Sequence, residues 1–254
     1  MKYKSIFILV LCLSLMLCAS SQKKLKEAQE KDPQFQYNLG LLYLNRGNVD
    51  EAIKYLKKSL ALNPRNHIAY NFLGIAYSMK GELEESLKHF NKCLEINPRF
   101  TDAHNNLGMI YQQMGIIDRA EEEFLKAIAD KDYPTKEKPY YNLARLFYIQ
   151  EKFNEALDYA QKSIKENARF AMAYNLIGLI FEKTNNFPQA IESYTRALII
   201  VPGEINFSFN LAVAFFYNNQ FSEAKEIFEG IYNKVTDPQM KERITQYLKI
   251  INKE

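Results

Sequence analysis

The side chains that could perform acid–base, nucleophilic or metal chemistry do not occur in the spacings that such chemistry requires. The histidines His67, His89 and His104 are not accompanied by carboxylates at the spacing of a metal site. The acidic run 121–123 resembles a catalytic pair of carboxylates, but neighbouring residues on a helix point in different directions, so a solvated helix face explains it better. The sequence contains neither a glycine-rich phosphate loop nor a nucleophile elbow. We therefore expect a non-catalytic protein with no metal, no cofactor and no small-molecule substrate.

The charge balance of the chain does not favour nucleic acid as a partner. The chain has 33 Lys and Arg against 30 Asp and Glu, a formal charge of +3. Removal of residues 1–17 takes away Lys2 and Lys4, two positive charges, and leaves about +1. A nearly neutral chain gives no argument for binding nucleic acid, so we expect no nucleic-acid partner.

Small residues recur through the chain at a nearly fixed period, which gives the register of the other residues in each unit. Two series advance by 34, 34, 36, 34 and 34 residues, and the second lies twelve positions after the first. A sustained period of 34 residues indicates stacked helix–turn–helix units. The first series is Gly40, Gly74, Gly108, Ala144, Gly178 and Ala212, and the second is Ala52, Ser86, Ala120, Ala156, Ala190 and Ala224.

The small residues have a packing reason, because a Gly or Ala where two helices approach removes the side chain that would hold them apart. The apolar stripe Tyr70, Leu73 and Tyr77, spaced by three and four residues, then fills the layer between units. Cys93 takes a small-residue position, so a buried, unpaired thiol is expected there. The prolines that end several units are Pro64, Pro98 and Pro202.

These residues resemble the tetratricopeptide repeat over roughly residues 33–235, and the segment from Tyr37 to Pro64 is close to its consensus. The resemblance implies an all-α fold: a right-handed TPR superhelix, or α-solenoid, of six helix–turn–helix repeats. The departures include two extra residues near Asp132–Pro139. After the sixth repeat, residues 236–239 form a helix start, which predicts a C-terminal capping helix over 236–254.

The N-terminus predicts export. Lys2 and Lys4 precede an apolar run over residues 6–18, too short for a comfortable membrane span but typical of a signal peptide, here residues 1–21. Cys18 ends this run and resembles a lipoprotein processing site, with cleavage before it, although Leu17 departs from the small residue usual there. Residues 22–32 would form a short tether. The prediction is an outer-membrane lipoprotein facing the periplasm; the alternative is ordinary cleavage after residue 20 or 21 and a soluble periplasmic protein.

The resemblance also implies a partner-binding groove. In tetratricopeptide repeats, ligand contacts come mainly from residues three before, one after and four after the small position. A groove that is apolar and aromatic at both ends and amide-rich in its middle suits an extended or helical peptide segment. Some of these residues would instead face neighbouring helices, above all Phe209 and Phe216 beneath the C-terminal helix. The predicted groove residues are Tyr37, Leu41, Leu44, Asn71, Ile75, Asn105, Met109, Gln112, Tyr141, Arg145, Tyr148, Asn175, Phe209 and Phe216, with Ser78, Leu179, Glu182 and Val213 at equivalent positions.

An export signal ending in Cys, six repeats and little else together resemble the type IV pilus biogenesis and stability lipoproteins, the pilotins PilF and PilW. The segments Tyr133-Pro134 and Tyr141-Asn142-Leu143 beside the two-residue insertion are similar to that family's junction between its third and fourth repeats. The resemblance implies a protein partner, a secretin subunit, and attachment to the membrane through the N-terminal lipid. Two alternatives stay open: a generic periplasmic scaffold, and a regulatory subunit for another envelope assembly or enzyme.

Overall fold

The computed structural model describes residues 22 and 24–253. The predicted signal peptide and Cys18 lie outside these residues. Within them the regular secondary structure is helical throughout. The helices are α1 (Pro33–Asn45), α2 (Val49–Leu62), α3 (His67–Met79), α4 (Leu83–Ile96), α5 (Thr101–Gln113), α6 (Ile117–Ala129), α7 (Glu137–Ile149), α8 (Phe153–Glu166), α9 (Ala171–Lys183), α10 (Phe187–Ile200), α11 (Ile205–Tyr217), α12 (Phe221–Tyr232) and α13 (Pro238–Ile251).

Helices α1 to α12 follow one another along the chain as six helix–turn–helix repeats, and α13 follows them. The predicted all-α fold of six helix–turn–helix repeats with a C-terminal helix is confirmed. Polar caps and prolines start several helices: Asn66 Oδ1 accepts the Ala69 N–H at 3.1 Å, and Asp237 Oδ1 accepts the Gln239 N–H at 3.1 Å beside Pro238.

The described residues divide into two compact units, one ending at Met114 and one beginning at Gly115. The boundary falls in the turn between α5 and α6. The first unit therefore holds α1 to α5 and the second holds α6 to α13.

The small residues set how closely the paired helices approach. A Cβ on Gly40 would lie 2.7 Å from Cγ of Leu56, and one on Gly74 would lie 2.7 Å from Cε1 of Phe90. The second series is equally tight, since Ser86 is buried and its hydroxyl donates to the Gly74 carbonyl at 2.8 Å. The 34-residue pattern thus marks the contact between the two helices of a repeat.

Each turn inside a repeat contains one residue with a left-handed φ, seven positions after the small residue. Glycine takes this backbone without a Cβ penalty, but Glu151 adopts it at φ 59° in the fourth repeat. The six residues are Gly47, Gly81, Gly115, Glu151, Asn185 and Asn219.

The segment ahead of α1, which the sequence predicts as a short tether, is helical in part. Residues 24–30 are helical. The buried Gln36 side chain donates from Nε2 to the Gln29 carbonyl at 3.0 Å and to the Glu30 carbonyl at 3.3 Å. These bonds satisfy carbonyls at the end of the short helix and fasten it to α1.

Candidate partner-binding surface

The predicted partner-contacting residues lie on the first helix of each repeat. In α1 they are Tyr37, Leu41 and Leu44, which are spaced by four and three residues and share one helix face. All three are half-buried. The Tyr37 ring meets Phe72 of the second repeat edge-on, with centroids 6.0 Å apart, and Leu44 packs on the core around Leu56. These residues therefore connect two repeats while keeping part of their surface open.

The amides of the first unit face inward more than their positions suggested. Asn71 is buried, and its Oδ1 accepts a hydrogen bond from Asn106 Nδ2 at 3.1 Å, so it links α3 to α5. Asn105 is also buried, and its Nδ2 lies 3.9 Å from the sulfur of Met109. Ile75 and Gln112 are half-buried.

Met109 is the one predicted groove residue of the described chain that is exposed, at 44%. It lies on α5, one position after the small residue Gly108. An exposed apolar side chain in this position is available to a partner without any rearrangement of the core.

In the second unit, α7 carries an aromatic and cationic group. The Tyr141 ring meets Phe170 edge-on at 5.4 Å, and the Arg145 guanidinium lies 5.8 Å from the centre of the Tyr141 ring. Tyr148, two turns beyond Tyr141, lies 6.0 Å from Phe153. Burial raises the pKa of both hydroxyls, so Tyr141 and Tyr148 remain neutral hydrogen-bonding groups.

The next first helix, α9, presents an amide and a carboxylate. Asn175 Oδ1 accepts from Asn210 Nδ2 at 3.0 Å, the same link between successive repeats that Asn71 makes in the first unit. Glu182 is half-buried, and its Oε2 accepts from the hydroxyl of Tyr194 at 2.9 Å. Burial raises the pKa of Glu182, although the Tyr194 hydrogen bond opposes that shift.

The last two predicted groove residues lie under the C-terminal helix. Phe209 is buried and packs on Phe228 and on Tyr247 of α13, at centroid distances of 5.8 and 6.4 Å. Phe216 lies 4.9 Å from the Tyr247 ring. Arg243, also on α13, stands 4.5 Å from the centre of the Phe209 ring. The C-terminal helix therefore occupies the face that these residues would offer to a partner.

Two residues outside the predicted groove set contact residues of this face: Tyr194 bonds to Glu182, and Arg243 lies over Phe209. Tyr194 takes the position that holds Phe90, Phe124 and Phe228 in other repeats. A tyrosine in place of phenylalanine indicates that a hydrogen-bond partner for its hydroxyl lies nearby. Arg243 had no such signal, because its approach to Phe209 depends on how α13 docks.

His89 and Cys93 are packed among other side chains of the first unit. His89 stacks against Tyr77 with centroids 5.2 Å apart, and burial lowers its pKa. Cys93 is buried, and desolvation raises its pKa to about 12, which keeps the thiol protonated and unreactive. Among the described residues, no group of three or more His, Cys, Asp or Glu is placed to hold a metal ion.

None of the described helices combines the length and the apolar character that a crossing of the bilayer requires.

Comparison with solved structures identifies close likenesses of fold. The structure of PilF from Pseudomonas aeruginosa superimposes with a TM-score of 0.75 and 18% identity, over 86% of this chain and 99% of that one. PilW, described as a widely conserved type IV pilus biogenesis factor, superimposes with a TM-score of 0.77 and 16% identity, over 84% of this chain and 98% of that one. Identities this low establish a shared fold alone.

Sequence comparison finds a shorter similarity. A peroxisomal targeting signal receptor of Candida glabrata is 31% identical over 84 residues, which are 33% of this chain and 14% of the receptor. The chain thus spans only a small part of the receptor's length.

Two family models match. One, described as tetratricopeptide repeat, covers residues 33–99, and the other, described as tetratricopeptide repeat protein 21 C-terminal ARM domain, covers residues 75–246. With the helix pairs and their small-residue contacts, these matches show that the chain belongs to the tetratricopeptide-repeat family.

Proposed function

We propose that this protein is a non-catalytic scaffold of the cell envelope that binds a protein partner through the first helices of its repeats. Tetratricopeptide arrays use this face for binding extended partners. The observation that carries the proposal is that the face keeps accessible groups of mixed character. Met109 is exposed in the first unit, while Tyr148, Asn175 and Glu182 are half-buried in the second.

A role in type IV pilus biogenesis is the specific form of this proposal, with secretin subunits as the partner. It is supported by the likeness to PilF and PilW, which extends over 84–86% of this chain and 98–99% of theirs. An export signal that ends in Cys18 gives independent support, because a secretin partner is met only outside the cytoplasm.

Attachment through Cys18 completes the proposal. A lipid-modified N-terminus with several acyl chains would hold the protein stably at the outer membrane, whereas a single chain binds only marginally. Residues 24–30 form a helix fastened to α1 by Gln36, so the repeats would stand close to the anchored end.

The test is deletion of the gene in its own host, followed by measurement of secretin multimers in outer-membrane fractions and of surface pili. Loss of both, with recovery by the wild-type gene and reduced recovery by a Met109→Glu variant, is expected. Normal multimers and pili in the deletion strain would contradict the pilus role. Full recovery by Met109→Glu would argue against the binding face in the first unit.

A further inference from the structure

We infer that the first-helix face of the second unit selects an extended peptide segment that carries one lysine or arginine, with Glu182 as the residue that receives its charge. This inference rests on the proposed function and adds the chemistry of the partner. Its basis is the unused hydrogen-bonding capacity of two side chains on α9, together with the groups that surround them.

Glu182 is the first of these side chains. Its Oε2 accepts the Tyr194 hydroxyl at 2.9 Å, while Oε1 receives no hydrogen bond from any residue between 24 and 253. In the same part of the chain, no Lys or Arg nitrogen lies within ion-pairing distance of this carboxylate. A half-buried carboxylate with an open oxygen and no ion-pair partner is costly for the protein alone and favourable once a cationic partner arrives.

The aromatic neighbour of Glu182 suits the same ligand. Tyr148 holds on α7 the position that Glu182 holds on α9, four residues after the small residue, and the two helices contact each other. The Glu182 charge contributes to raising the pKa of Tyr148, after the larger effect of burial. A lysine stem or an arginine guanidinium packs favourably on an aromatic ring while its charge meets a carboxylate. The pair therefore offers both interactions that a basic side chain makes.

Asn175 is the second side chain, and it favours an extended ligand over a helical one. Its Oδ1 is used by Asn210 at 3.0 Å, and this bond directs the Nδ2 donors away from Asn210; no described residue receives a bond from them. A free amide donor matches a backbone carbonyl, and an extended peptide has unpaired carbonyls where a helix has already used its own.

The spacing of the two groups fits one short segment. Asn175 and Glu182 are separated by two turns of α9, about 10 Å along the helix axis. An extended chain covers this distance in roughly three residues. Leu179 lies between them, half-buried, and provides an apolar contact for the intervening part of the peptide.

Arg243 limits how much positive charge the site accepts. It is held 4.5 Å from the centre of the ring of Phe209, whose neighbour Asn210 bonds to Asn175. Burial raises the pKa of Glu182, and the charges of Lys183 and Arg243 oppose that shift. A second basic residue on the ligand would meet this guanidinium. The expected ligand therefore has one basic side chain rather than a basic run.

The experiment is selection of phage-displayed random peptides on the full chain purified in detergent, compared with Glu182→Gln and Arg243→Gln. Gln retains an acceptor for Tyr194 and nearly the same shape. Wild type should enrich peptides with a single Lys or Arg, and a synthetic selected peptide should bind Glu182→Gln about tenfold more weakly, the usual scale for losing a charge-assisted hydrogen bond. Arg243→Gln should bind the same peptide about twofold more tightly, as loss of an exposed like charge predicts.

The outcomes separate this inference from the proposed function. Enriched peptides without a basic preference, or equal affinity for wild type and Glu182→Gln, would overturn the inference and leave a peptide-binding scaffold. Absence of any enriched peptide on wild type would contradict the scaffold proposal itself. If Glu182→Gln melts well below wild type, the inference is tested by the affinity of Arg243→Gln for the selected peptide. Weaker or unchanged binding of the peptide to Arg243→Gln would overturn the inference.

Discussion

Gly178 and Tyr194 meet so closely that a Cβ on the glycine would lie 2.5 Å from Cε1 of the tyrosine ring. Tyr194 is fully buried and cannot turn aside. Gly178→Ala should therefore lower the free energy of unfolding by about 1–3 kcal/mol, the usual effect of overpacking. Chemical denaturation of the purified protein measures it.

Gly230 provides the matched control, because it lies inside α12 and a methyl group added to it would meet no atom within 4 Å. Gly230→Ala should raise stability by about 0.5–1 kcal/mol through helix propensity alone. Equal effects of the two substitutions would mean that Gly178 is not needed for the close approach of α9 and α10.

Replacing Glu151 by glycine should make the protein more stable. It has a φ of 59°, which costs a residue with a side chain about 1–2 kcal/mol, partly offset by the extra entropy of glycine in the unfolded chain. The expected net gain is about 0.5–1 kcal/mol by thermal denaturation. At the equivalent Gly81, with φ 77°, alanine should destabilise, and a stabilising Gly81→Ala would show that the left-handed turn is not needed.

Tyr247 should contribute strongly to the packing of the C-terminal helix α13 on α11 and α12. Its ring contacts Phe216 at 4.9 Å and stacks on Phe228 at 5.2 Å. Tyr247→Ala should cost about 3 kcal/mol and expose Phe209 and Phe216, which increases binding of a hydrophobic fluorescent dye. Tyr232→Ala, at a residue 37% exposed, is the control and should change both readouts little.

The sequence alone predicted the repeats because the cause is local and repeated. In three repeats the glycine of the first series faces a bulky residue sixteen positions later: Leu56, Phe90 or Tyr194. Because the same steric requirement recurs in each repeat, it produces the same sequence pattern each time. Glycine at positions 47, 81 and 115 is a sequence signal for the left-handed turn of the first three repeats, but Glu151 carries no such signal in the fourth.

The candidate site was less predictable, because a polar or aromatic residue on the first-helix face can serve a partner or a neighbouring repeat. Asn71 bonds to Asn106, and nothing in its spacing distinguishes that bond from one to a peptide. Phe209 and Phe216 show the same ambiguity with apolar side chains, since the docking of α13 decides it. The alternative interpretation, that these two phenylalanines lie under the C-terminal helix, matches their position in the structure.

Lipid attachment remains a prediction from the sequence, since Cys18 lies outside the described residues. Cells given a fatty-acid probe should label the wild-type protein and not Cys18→Ser, because the thiol is the attachment point. Cys93→Ser, at the buried thiol, should label like wild type. Equal label in Cys18→Ser would contradict attachment at Cys18, and no label in wild type would favour ordinary cleavage and a soluble periplasmic protein.

The central claim is that the first-helix face contacts the partner, and photo-crosslinking in living cells tests it most directly. A photoreactive amino acid would replace Met109, which is 44% exposed on that face, or Met79, which is 54% exposed at the end of α3 and outside the predicted groove. Both sites tolerate a bulky group because neither is buried. We expect a crosslinked secretin subunit from position 109 and none from position 79. The same product from both positions, or a product from position 79 alone, would contradict it.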